Sequence, residues 1–280
     1  MADDENANQV HLLFAFIMEL STAEITGLLG SYMWPFIRIT ALVMTAPIFS
    51  SNFVNARSKL LLAIAISIVI IPAMPNINVP AVEPLSGAGL LIVAHQILIG
   101  ACMGFMLQLL FNAFTLAGQI IAMQMGLGFA SMVDPQNGVT VPVISQFYLI
   151  FVTLVFISLD GHLILIQVLS ESFVTLPVSS SGLPYSSFRD VVAQASWMYA
   201  AAVLVALPAI GSLMMVNLSF GILSRAAPQI SPFSIGFPMS IILGFVIIFV
   251  TLPSASHHLT NLADQMLQMI RLLVQPGGTA

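Results

Sequence analysis

Asp160-Gly161-His162 places a carboxylate and an imidazole two residues apart inside an otherwise apolar run. An ionisable group in such a run marks a functional site by default, because a charge is costly to keep in hydrocarbon. Two uses fit this pair. Asp160 and His162 could hand a proton along, as in a proton-coupled secondary transporter or an ion channel. Alternatively, Gly161 bends or ends a helix there, and Asp160 and His162 satisfy the backbone groups that the bend exposes. No basic residue stands nearby in the sequence to share a proton site, which favours the bend. A transporter would also be expected to carry an internal repeat, and none is visible.

Other chemistry is scarce. His257 and His258 are adjacent, so a helix would point them to different faces. They read as interfacial residues rather than metal ligands. The sequence has no His-Glu-x-x-His helix, no Gly-x-Ser-x-Gly elbow and no Gly-x-x-x-x-Gly-Lys phosphate loop. No nucleophile has a matched base, so an enzyme is not expected, and neither is a cofactor or a metal. Cys102 is alone, which leaves no intrachain disulfide or cysteine metal site. Its apolar neighbours make it a packing residue.

A third cluster is apolar. Met103, Met106, Met123, Met125 and Met132 are interleaved with Phe105, Phe111, Phe114 and Phe129. Thioether chains are flexible and polarisable and can close around objects of varying shape. That suits a gasket around a moving polypeptide, although ordinary packing uses the same residues. Gly100, Gly104, Gly118, Gly126 and Gly128 lie in the same stretch and let backbones approach closely.

The elements that must position these groups are membrane helices. From Glu83 to Asp134 about fifty residues pass without an Asp, Glu, Lys or Arg, which no ordinary water-exposed surface tolerates. A membrane helix needs roughly 20 mostly apolar residues. The chain has 280 residues, is 59% hydrophobic and 6% charged, and has a mean hydropathy of +1.04. Six Lys and Arg and a net charge of -5 exclude a nucleic-acid surface.

The expected fold class is an all-α membrane protein of proline- and glycine-broken helical hairpins. Six apolar segments are expected: about Gly27 to Phe49, Leu60 to Met74, Gly89 to Met125 with a break, Val141 to Leu169, Val191 to Leu223, and Phe233 to Leu252. Residues 1–26 read as an acidic extension with a short interfacial helix, Val10 to Leu20, and not as a signal peptide. Residues 27–253 read as one polytopic domain. Residues 254–280 read as a separate amphipathic helix and tail, with Leu259, Leu262, Met266, Met269, Ile270 and Leu273 on one face. That face is expected to pack on a partner or at the interface.

Pro35, Pro47, Pro72, Pro208 and Pro238 sit within or at the ends of apolar segments, where each is expected to kink or stop a helix. Asp134-Pro135-Gln136-Asn137-Gly138 is a strong turn signal. Arg57, Lys59 and Arg225 share one side if all six segments cross, and the positive-inside rule makes that side cytoplasmic. Both termini are then expected to be periplasmic. Arg189 and Arg271 pull the other way.

The order of motifs resembles the FliR family of type III secretion export-gate proteins. The stretch from Ala117-Gly118-Gln119 through Gln124-Met125-Gly126-Leu127-Gly128-Phe129-Ala130 to Asp134-Pro135 carries the likeness. So do Ala46-Pro47-Ile48-Phe49, Arg57-Ser58-Lys59, Leu159-Asp160-Gly161-His162, Ser172-Phe173 with Leu176-Pro177, and Ala206-Leu207-Pro208. Leu223-Ser224-Arg225-Ala226-Ala227-Pro228-Gln229 and Gly236-Phe237-Pro238 complete it. These run in order from about residue 30 to 250, and Gln124-Met125-Gly126 is similar to the flagellar branch. The acidic stretch from Met1 to about Gln9 departs from the family pattern.

The resemblance implies a core component of the flagellar export gate in the bacterial inner membrane, at the flagellar basal body. It implies bent hairpins packed in a larger hetero-oligomeric spiral, much of it raised above the membrane on the periplasmic side. Homologues of FliP and FliQ are the implied partners, an FlhB homologue joins them, and unfolded export substrates pass through. No cofactor is implied, since energy comes from a separate ATPase and the proton motive force. It places a pore plug or seal between Leu110 and Met132, using Phe111, Phe114, Met123, Met125, Phe129 and Met132. Gly118, Asp134, Pro135, Asp160, Gly161, His162, Pro208, Arg225 and Pro228 become helix-break or structural positions.

Overall fold

A computed structural model describes residues 22–50, 54–74, 80, 82–84, 86–128, 131–133, 140–179, 182–226 and 236–275. Among them the chain forms seven α-helices and one short two-stranded hairpin. The helices are α1 (Thr22–Thr45), α2 (Ala56–Ala73), α3 (Gly87–Gln124), α4 (Val143–Ser158), α5 (Gly161–Thr175), α6 (Tyr185–Ala226) and α7 (Phe237–Leu273). Strands β1 (Ser131–Val133) and β2 (Thr140–Pro142) pair antiparallel, with Met132 opposite Val141. They flank the expected turn at 134–138, which itself lies outside the described residues.

Helix α3 is the axis of the molecule. It contains no proline and no charge, so nothing in it interrupts the backbone ladder, and the expected break is absent. Ser86 caps its start by accepting a hydrogen bond from the Gly89 N–H at 3.1 Å. At 1.5 Å per residue its 38 residues run for about 57 Å. It packs against α1, α4, α6 and α7. Gly100 and Gly104 lie under α1: a Cβ on Gly100 would meet the Arg38 carbonyl, and one on Gly104 the Thr45 hydroxyl. The Gly-x-x-x-Gly pair therefore brings the two backbones together. Gly118 does the same for α4, where a Cβ would stand 2.6 Å from Ser145 Cα.

Proline interrupts less than expected. Pro35 and Pro208 lie inside α1 and α6 without ending either helix. Pro72 sits in the last turn of α2, and Pro238 opens α7, where a missing N–H costs little. Pro253 lies inside α7, so the sixth apolar segment and the tail helix are one helix of 37 residues. The expected separation into two helices is thereby corrected: a lone proline removes one donor and bends the helix without having to end it. The tail's apolar face is also covered by this chain itself. Leu259, Leu262, Met266, Ile270 and Leu273 are buried, with α7 packed on α3, α4, α5 and α6.

The sharp bend is elsewhere. The fourth expected segment divides into α4 and α5, inclined by 67° at the Leu159–Asp160 break. Among the described residues, α2, α3, α6 and α7 are each long and apolar enough to cross a membrane, and the bent α4–α5 pair makes a fifth. The first apolar segment is α1, which buries Trp34, Arg38, Ile39, Leu42 and Val43 within the chain.

Candidate functional site

The stretch assigned to the seal begins inside α3 and leaves it through a glycine turn. Phe111 and Phe114 are fully buried and face this chain's own core. Phe111 meets Phe156 of α4 edge-to-face, with ring centroids 5.5 Å apart. Met125 is also buried, its thioether over Gly244 of α7, where a Cβ would come within 2.6 Å of Met125 Cε. Met123 points the other way and is 73% exposed. Met132 is described by its strand pairing alone, and Phe129 lies outside the described residues. Of the four described side chains, Phe111, Phe114, Met123 and Met125, Met123 is the exposed one.

The end of α3 is a Schellman motif. Gly126 takes a left-handed conformation at φ 79°. Its N–H donates to the Met123 carbonyl at 3.1 Å, and the Leu127 N–H donates to the Ala122 carbonyl at 2.9 Å. Gly126 is required there by its backbone, and the Phe237 ring of α7 packs where a side chain would go.

At the turn between α4 and α5, Asp160 adopts φ 56° and ψ 22°, a region that Asp tolerates better than most residues. Its carbonyl accepts from the Leu163 and Ile164 N–H groups at 2.9 and 3.1 Å. Its side chain makes no capping hydrogen bond and is exposed. His162 Nδ1 is buried without a partner among the described residues. Gly161 is buried against the Phe156 ring, with a Cβ position 2.5 Å from Cζ. The bend is made by backbone and glycine, and the two ionisable side chains do not cap it.

The remaining structural positions are scattered. Pro208 lies in α6, its carbonyl accepting from Ser212 Oγ at 2.9 Å. Arg225 occupies the last turn of α6, where a cation complements the helix dipole. Asp134, Pro135 and Pro228 lie outside the described residues.

Sequence reasoning missed the most elaborate polar site. Arg38 of α1 is fully buried. Its Nε–H donates to Gln96 Oε1 of α3 at 2.8 Å. Nη1 donates to the carbonyl and the hydroxyl of Ser172 in α5 at 2.9 and 3.1 Å. Nη2 donates to the Leu176 carbonyl at 3.0 Å. The guanidinium carbon stands 4.5 Å over the Phe173 ring. Both carbonyls lie at the C-terminal end of α5, whose dipole favours a cation; that of Ser172 also accepts the Leu176 N–H at 3.0 Å. One side chain thus joins three helices. The signal was present: Arg38 is a lone cation inside an apolar segment, and the rule applied to Asp160 applies to it equally. Asn217, a lone amide in an apolar part of α6, was missed as well. Its Nδ2 donates to the Gln124 carbonyl at 3.1 Å.

The chain matches the sequence model of Bacterial export proteins, family 1, over residues 29–266. It is 35% identical over 254 residues to the Flagellar biosynthetic protein FliR of Escherichia coli (strain K12), covering 91% of this chain and 96% of that one. The chain belongs to the FliR family of bacterial export proteins. The FliR of Pectobacterium carotovorum subsp. carotovorum is 35% identical over 237 residues, covering 85% of this chain and 90% of that one. The FliR of Bacillus subtilis (strain 168) is 27% identical over 232 residues, covering 81% and 87%. As a FliR-family member the chain is a membrane component of the flagellar type III export apparatus and not an enzyme. That displaces the reading of the chain as a secondary transporter or ion channel.

Proposed function

We propose that this chain packs with homologues of FliP and FliQ, joined by an FlhB homologue, to form the protein-conducting channel of a flagellar export gate. Unfolded flagellar substrates are its cargo, and the turn after α3 contributes to the seal. The gate sits in the inner membrane at the basal body. One observation carries the need for protein partners. Large apolar side chains are exposed on α6 from Val192 to Leu223, a rise of about 47 Å at 1.5 Å per residue. The hydrocarbon core of a bilayer is about 30 Å thick. A strip longer than the hydrocarbon core supports cover by partner helices over part of its length.

Coexpression tests this. Alone, the chain is expected to be polydisperse in detergent. With FliP and FliQ homologues it should purify as one stable complex. A monodisperse, stable protein that the partners leave unchanged would refute the reading. The seal is tested by the ion conductance of the complex in bilayers without substrate. Replacing Met123 with Gly should open a leak, and near-zero conductance in that variant returns Met123 to ordinary packing.

A further inference from the structure

We propose that Asn217 is a latch that holds the glycine turn after α3 closed against α6 and α7, a reading that rests on the seal assignment above. The last turn of a helix leaves its carbonyls without intrahelical donors. Here the Schellman motif supplies donors to Ala122 and Met123, and the Met125 N–H serves Ile121. The Gln124 carbonyl is left over. Asn217 Nδ2 takes it at 3.1 Å, and Asn217 Oδ1 accepts from Ser240 Oγ at 3.2 Å. One amide therefore ties the end of α3 to α6 and the start of α7.

The other contacts at this turn are apolar. Phe237 covers Gly126 and Met125 covers Gly244. Such contacts have no direction and allow sliding. The two amide bonds are directional and set where the turn sits. A crevice of about 390 Å³ lies beside them, lined by Met123, Met125, Gly126, Phe220 and Phe237 among others. Asn217 is exposed on the face of α6 proposed above to meet partner helices, so a partner's polar group can take over its bonds, and the latch is reversible. It is a positioning residue: it acts on the conduit through the turn that carries Met123.

The test uses the complex reconstituted in bilayers with FliP and FliQ homologues, without substrate. Asn217→Ala removes both bonds. Asn217→Asp keeps the acceptor for Ser240 but sets a carboxylate against the Gln124 carbonyl. Both are expected to assemble at wild-type yield and to raise the conductance about 2–10-fold, the scale of one or two net hydrogen bonds. Wild-type conductance in both, with a leak in Met123→Gly, would overturn the latch and leave the seal standing. Wild-type conductance in all three would overturn the seal and the latch with it. If the Asn217 variants assemble poorly, Ser240→Ala breaks only the second bond. It should speed hydrogen exchange of the Met125 to Gly128 amides several-fold, and unchanged exchange would overturn the proposal.

Discussion

In its first half α3 meets α1 through Gly100 and Gly104 and takes the Arg38 guanidinium on Gln96, all of it buried. At its other end the same helix is held by one exposed amide, Asn217, and by apolar contacts around Gly126. The difference is one of burial within the chain. Buried hydrogen bonds have nothing to replace them, so breaking them leaves bare polar groups at full cost. Bonds at an amide on the chain's surface can pass to another polar group at less cost. Helix α3 therefore has one end fixed by buried polar bonds and one end held mainly by apolar contact. Met123, the exposed residue of the proposed seal, lies at the second end.

The largest effect that would break this contrast belongs to Arg38. Arg38→Met keeps the apolar length but takes the donor from Gln96 Oε1 and the Leu176 carbonyl. The expected cost is on the order of 4 kcal/mol, read as loss of the coexpressed complex. A variant complex as abundant and heat-resistant as wild type would refute the anchor.

Phe111→Ala sharpens the comparison at the middle of α3. It removes a buried ring and its contact with Phe156, at about 3 kcal/mol. The thermal midpoint of the complex should fall while substrate-free conductance stays at the wild-type level. A leak would place Phe111 at the pore instead.

Gly126→Ala probes the loose end. A left-handed φ costs an alanine about 1–2 kcal/mol, and its Cβ would stand 2.9 Å from Phe237 Cε2. Assembly should survive, with faster hydrogen exchange confined to the turn. Exchange that spreads to Gln96 and Gly100 would mean the two ends are not independent.

The smallest effect is expected at Asp160. Its side chain is exposed and uncapped, and Asn adopts the left-handed region as readily. Asp160→Asn should change stability by no more than about 0.5 kcal/mol and leave motility intact. A fully assembled but immotile mutant would restore the proton-carrying role.

The amino-acid sequence by itself determined the class of the protein, the apolar segments, the glycines of close approach and the bend at Asp160-Gly161. Each rests on a local property: missing charge, a missing side chain, or a residue that tolerates a special backbone. It also determined the buried face of the tail, because polar residues such as Asn261, Asp264 and Gln265 mark the other side of that helix. Only the tertiary structure decided that Phe111 and Phe114 point inward while Met123 points outward. On a helix as uniformly apolar as α3, lipid, partner and core are equally good solvents, so periodicity carries no direction. Only the tertiary structure, too, brought Arg38 to Ser172 and Asn217 to Gln124 and Ser240. Those meetings join residues as many as 134 positions apart. They depend on how glycine-lined helices cross, which no local run of residues encodes.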